Sequence, residues 1–148
     1  VRFDESQVRS TGRDTMGVKG MTLSGDDRVV SMAVVRPEDK LLTVTENGYG
    51  KISNVDDYRQ TKRGAKGVIT IKTDERNGKV VSVRKVSNGD QLMVTSVQGK
   101  MIRMGVDEIR ETGRNAKGVR IMDMRNGDKI TAVEPIILDG EEPDENSL

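Results

Sequence analysis

The sequence predicts an all-β fold in which about three four-stranded units follow one another at a period of ~50 residues, packed as the blades of a propeller are. Three observations carry this. Among 148 residues, Val and Ile together outnumber Leu by 28 to 6, and β-branched side chains are stiff, fit a pleated surface and disfavour helix. A short Arg- and Gly-containing segment occurs three times in register. Around it, each unit repeats the same order of apolar runs and glycine turns.

The repeated segment is Ser10-Thr11-Gly12-Arg13-Asp14-Thr15-Met16-Gly17-Val18, then Gln60-Thr61-Lys62-Arg63-Gly64-Ala65-Lys66-Gly67-Val68, then Glu111-Thr112-Gly113-Arg114-Asn115-Ala116-Lys117-Gly118-Val119. From Arg13 to Arg63 is 50 residues and from Arg63 to Arg114 is 51. Residues 48–68 and 99–119 share ten identities in 21 positions. Repetition this regular marks stacked supersecondary units rather than chance.

Within the units, Leu41 to Thr45 and Leu92 to Ser96 are β-rich runs, each followed by a turn, Asn47-Gly48 and Gln98-Gly99, and a second extended segment. That is the pattern of a hairpin. Val55 to Arg59 and Val106 to Arg110 read as a single turn or short helix leading into the repeated loop. Beyond the loop, Val68 to Ile71 and then Val80 to Val86 supply two more strands, as do Val119 to Met122 and Ile130 to Ile136 in the third copy. The first copy lacks its opening strands. The expected blades are 1–40, 41–90 and 91–138, followed by an acidic disordered tail at 139–148. Three blades fall short of the ~4–8 that close a ring, so the chain reads as a fragment. Its start, Val1-Arg2-Phe3-Asp4, looks like a cut within a longer chain.

Composition narrows the function. With no Cys and no His, there is no disulfide framework, no thiolate or imidazole metal site and no His-based triad. No apolar run approaches the ~20 residues that span a bilayer, so a soluble protein is expected. The net charge of +1 hides an asymmetry: five acidic residues and no basic one lie in the last ten, leaving 25 basic against 19 acidic residues before them. A basic body is suited to binding a polyanion.

The repeated loops concentrate that charge. Arg13, Lys62, Arg63, Lys66, Arg114 and Lys117 occupy equivalent positions, so one basic cluster per unit would line one rim, with glycines allowing close approach of the backbone to phosphate. Arg9, Arg59 and Arg110 recur one turn earlier, and Arg2, Lys51 and Arg103 lie on incoming strands. A recurring Arg can equally tie its loop to the next blade by bonding carbonyls, so Arg13, Arg63 and Arg114 have two readings, whereas Lys62, Lys66 and Lys117 read as DNA-facing. With only Phe3, Tyr49 and Tyr58 as aromatics, the chain lacks the stacking platforms that single-strand binders use, and duplex binding is the better fit. Paired carboxylates at Asp26-Asp27, Asp56-Asp57 and Asp107-Glu108 read as solvated turns or helix-start charges.

Several stretches carry a family resemblance: Leu41 to Lys51, Gly67 to Val81, and Val106-Asp107-Glu108-Ile109 running into Gly113 to Val119. Over 1–137 the chain resembles the DNA gyrase A C-terminal domain, in the order of the last three of that family's six blades. The resemblance implies a β-pinwheel, a propeller-like ring whose blades exchange strands, of which this chain is half. It also implies binding and wrapping of duplex DNA on a basic rim, as a non-catalytic part of an ATP-dependent type IIA topoisomerase that introduces negative supercoils. ATP and Mg2+ would then be used elsewhere in the enzyme. The expected partners are duplex DNA, the rest of gyrase A and, in the holoenzyme, gyrase B, in a cytoplasmic, nucleoid-associated setting with no membrane. The family's signature box, of the form Gln-Arg-Arg-Gly-Gly-Lys-Gly, belongs to the first blade; Gln60 to Gly67 is its paralogue, with an extra residue before Lys62-Arg63 and Ala65 for the second Gly. Two other readings stay open, a protein-interaction scaffold and the equivalent domain of topoisomerase IV. Unpaired strand edges also predict some homodimerisation of the fragment.

Overall fold

The computed structural model describes residues 1–136, so the expected acidic tail at 139–148 lies outside the described residues. Strand β1 (Lys40–Thr45) turns through Asn47-Gly48 into β2 (Tyr49–Asn54), with Leu42 opposite Ile52. Strand β3 (Val80–Val86) pairs with the other edge of β1, with a register shift between Val44 and Thr45. One repeat later, β4 (Gln91–Ser96) and β5 (Met101–Gly105) form the second hairpin. Two further strands follow, β6 (Val119–Arg120) and β7 (Ile130–Pro135). The register shift recurs between Thr95 and Ser96, where β7 joins β4. One-turn 3-10 helices follow both hairpins, at Val55–Asp57 and Val106–Glu108, and a third spans Glu5–Gln7, where the Asp4 side chain accepts from the Ser6 amide.

Strand β6 does not join the sheet of the unit it belongs to. It crosses to β2, placing Arg120 beside Tyr49 and Val119 beside Gly50. The sheets therefore run β3-β1-β2-β6 and β5-β4-β7, both antiparallel. The third copy thus lends a strand to the second.

One hydrophobic core fills the space between the two sheets. Leu42, Val44 and Ile52 from the first meet Leu92, Val94, Ile130 and Val133 from the second, with Val106, Ile109 and Ile121 closing it. Burial along the two opening strands differs in an informative way. It alternates along β4, whereas β1 is buried from Leu42 through Thr45 without a break. Alternation marks a sheet covered on one face, and an unbroken run marks one covered on both. On the second face of β1, Thr43 meets Thr70, whose hydroxyl also meets Tyr58.

Two expectations need correction. The first unit holds no strand beyond an isolated bridge between Arg2 and Gln60, and its apolar residues Val29, Val30, Met32 and Val34 lie exposed. Only Ser31 engages a sheet there, exchanging side-chain hydrogen bonds with the Val83 backbone. The run from Val68 to Ile71 likewise forms no strand. Its counterpart Val119–Arg120 finds the edge of β2, and among the described residues no hairpin precedes β1 to offer Val68 to Ile71 the same edge. The third copy thus supplies its four expected strands, β4 to β7, with β6 placed in its neighbour's sheet, whereas the second supplies three, β1 to β3, and completes a four-stranded sheet only with β6.

Candidate nucleic-acid interface

Each of the second and third repeated loops is fixed by the copy before it. In the second loop, the Arg63 side chain donates from Nε to the Gln7 carbonyl at 3.0 Å and from a terminal nitrogen to the Lys19 carbonyl at 2.7 Å. The Gly64 amide bonds the Gly20 carbonyl and the Thr22 amide bonds that of Ala65, lacing the loop to the first copy. In the third loop, Arg114 donates to the Ile69 carbonyl at 2.8 Å. Lys19 and Ile69 both stand two residues past the repeated glycine, so the two arginines grip the same place in successive copies. Of their two readings, the geometry gives Arg63 and Arg114 the bracing contact. Arg13 is exposed, with no hydrogen bond or ion pair from its side chain among the described residues.

The third loop has a second anchor that contradicts expectation. Lys51, expected on an exposed anion path, is fully buried on β2. Its ammonium donates to the carbonyls of Gly113 at 3.2 Å and Ala116 at 2.8 Å, and also to that of Arg114. The loop wraps its carbonyls around this side chain, which removes it from any solvent-facing role. Burial, followed by the nearby Arg114 charge, holds the Lys51 ammonium below its ordinary value of 10.5. Arg2 is likewise turned inward, donating to the carbonyls of Val55 and Tyr58 and to Asp56.

The remaining predicted cations face solvent. Lys62, Lys66, Arg59, Arg103 and Arg110 are exposed and make no side-chain hydrogen bond or ion pair among the described residues. Lys117 is exposed too, but its ammonium donates to Asp74 at 2.8 Å. The structure thus presents Lys62 and Lys66 together on the second loop, while Lys117 is locally compensated.

Sequence reasoning missed a cluster at the seam where β6 meets β2. The Arg76 guanidinium lies over the Tyr49 ring, 4.2 Å from its centroid, and donates to the Gly118 carbonyl. Arg120, on the exchanged strand, reaches the Tyr49 hydroxyl at 3.5 Å. The two guanidinium groups, Arg120 first and Arg76 second, hold the Tyr49 hydroxyl below its ordinary value. Lys72 of the second unit and Arg114 of the third line an open cleft between those units. A signal existed, since Arg76 recurs as Arg125 in the paired turns Asp74-Glu75-Arg76-Asn77-Gly78 and Asp123-Met124-Arg125-Asn126-Gly127. Tyr49 and Arg120, however, are 71 residues apart, and only strand exchange unites them.

Acid should loosen the anchoring of the third loop. Lys40 and then Asn54 hold the Glu111 carboxyl below its ordinary 4.5, and Lys117 with the Asn77 amide holds Asp74 below 3.8. Because both values are lowered by folding, their stabilisation is complete above the unfolded values and is lost as pH falls through the folded ones. The urea midpoint should therefore drop below about pH 4, and an Asp74→Asn, Glu111→Gln variant should show a shallower drop. Equal pH profiles for variant and wild type would refute this assignment.

These features define a class, a strand-exchanging, propeller-type β repeat with a basic loop in each unit. The chain belongs to the DNA gyrase C-terminal domain family of β-propellers, which it matches over residues 1–36, 39–87 and 90–137. It is 48% identical over 109 residues to the DNA gyrase A protein of Salmonella typhimurium, an alignment covering 74% of this chain and 12% of that protein. To the Staphylococcus aureus counterpart it is 44% identical over 113 residues, covering 75% of this chain and 13% of the relative. The matched stretch is thus only 12–13% of the length of such relatives. A solved DNA gyrase A C-terminal domain superposes with a TM-score of 0.83 at 35% identity, covering 91% of this chain and 46% of that one. The C-terminal domain of DNA topoisomerase IV shares the fold, also at a TM-score of 0.83 but at 22% identity, covering 90% of this chain and 42% of that one. No helix among the described residues is long and apolar enough to cross a membrane.

Proposed function

We propose that this chain is a non-catalytic module of a DNA gyrase, binding duplex DNA along a basic rim and wrapping it so that ATP-driven strand passage introduces negative supercoils. ATP and Mg2+ act elsewhere in that enzyme, and the module's partners are DNA, the remainder of gyrase A and gyrase B, on the nucleoid in the cytoplasm. The observation that carries this reading is the second repeated loop. Its arginine is committed to bracing, while Lys62 and Lys66 flank it, exposed and uncompensated among the described residues. A fixed backbone with projecting lysines suits sequence-independent phosphate contact, in which electrostatics supplies the affinity. The higher identity to gyrase A proteins than to the topoisomerase IV domain favours gyrase over its sibling.

The test is duplex affinity against salt in the full-length protein that contains this chain. Log K falls with log salt at about 0.9 per neutralised phosphate, so the Lys62→Ala, Lys66→Ala variant should lower the slope's magnitude by about 1.8. A folded variant with unchanged affinity and slope would favour a protein-interaction scaffold instead.

A further inference from the structure

We propose that Arg76 and Arg120, held by Tyr49, form a phosphate-gripping station at the seam between the second and third units, and that the junction's DNA contact is made here rather than by Lys117. This deepens the DNA-binding reading and rests on it. Both guanidinium groups belong to exposed residues, and neither forms an ion pair among the described residues. Two acids of the same seam are already engaged: Asp74 takes Lys117 at 2.8 Å, and Asp123 takes Arg125 at 2.8 Å. Two arginines outside any ion pair, beside two carboxylates already bonded to other cations, leave a local excess of positive charge.

The tyrosine sets their geometry. Arg76 stacks on its ring at 4.2 Å and is tethered to the Gly118 carbonyl, while Arg120 meets its hydroxyl from the paired strand. A stacked guanidinium keeps donors free for an anion and gives up less rotamer freedom on binding than an untethered arginine. The ring is engaged by Arg76 and Arg120 rather than left free, so it does not serve as a platform for an unpaired base. The occupant that fits is the phosphate backbone of a duplex, bridged by two forked donors. Arg76 comes from the second unit and Arg120 from the strand lent by the third, so a phosphate held between them also clamps the exchange.

Salt-dependent duplex binding of the full-length protein tests this, with thermal melting to check folding. Arg76→Gln with Arg120→Gln should lower the slope's magnitude by about 1.8, and Arg76→Lys with Arg120→Lys should restore most of it. Tyr49→Phe, which keeps the ring under Arg76, should bind nearly as wild type, while Tyr49→Ala should bind more weakly at equal melting temperature. Removing the compensated pair together, Lys117→Met with Asp74→Asn, should leave the slope unchanged. If the glutamine pair folds and keeps the wild-type slope while Lys62→Ala with Lys66→Ala loses slope, the station is refuted and the DNA-binding reading stands. If neither pair changes the slope, both are refuted.

Discussion

Replacing Gly118 with alanine should cost about 2 kcal/mol or more and release the exchanged strand from β2. Two effects combine there. The residue sits at φ +87°, in the left-handed region that an L side chain enters only at a cost, and a Cβ would stand 2.6 Å from the Gly50 carbonyl oxygen. Backbone, not a movable side chain, occupies that space, because β6 begins at the next residue and already lies against Gly50. Gly99→Ala is the matched control, having the same φ of +87° and nothing within 4 Å of the added carbon. Denaturant unfolding should show Gly118→Ala as clearly the more harmful. Hydrogen exchange should open the Ile121 amide, which bonds the Gly48 carbonyl at 2.7 Å. Equal costs at the two glycines would show that close packing at the crossing contributes nothing.

A Lys51→Met substitution should destabilise by about 2 kcal/mol or more while preserving most of the buried stem volume. Relief from burying an ammonium works in favour of the variant. Against it, the carbonyls of Gly113, Arg114 and Ala116 lose a shared charged donor, and each of these part-buried acceptors costs up to about 1–3 kcal/mol until water reaches it. Three losses outweigh one gain unless the loop opens fully. Partial opening is the expected result, so the Ala116 amide, bonded to the Gly113 carbonyl, should exchange faster while amides at the centre of β4 stay protected. A variant as stable as the wild type with unchanged exchange in the third loop would mean that Lys51 is not its anchor.

How far the sequence disclosed this molecule follows the range of the interactions involved. The hairpins β1-β2 and β4-β5 and the turns at Val55–Asp57 and Val106–Glu108 were legible, because alternation, a turn glycine and a local carbonyl bond specify them within a few residues. The fate of Val68 to Ile71 against Val119–Arg120 was not, since the two runs read alike and differ only in whether the chain supplies an edge. Charge in the candidate site was legible as composition but not as placement. Lys51 looks like any strand lysine until the third loop folds over it, and the two readings of Arg63 and Arg114 part only when carbonyls of the previous copy meet them. The seam arginines escaped notice because Arg76 depends on a tyrosine 27 positions away and Arg120 on the same tyrosine 71 positions away.

Strand exchange also sets the order in which this chain can acquire structure as it is synthesised. The first sheet's hairpin and its neighbour β3 are complete once Val86 has emerged, yet the free edge of β2 waits for Val119–Arg120. Until then, backbone donors and acceptors along that edge are open to any passing strand, a hazard that grows with the delay. Pairing across so long a loop raises contact order and slows the final step. The second and third repeats are thus coupled like neighbours in a one-dimensional chain of spins, the earlier settled only when the later has left the ribosome.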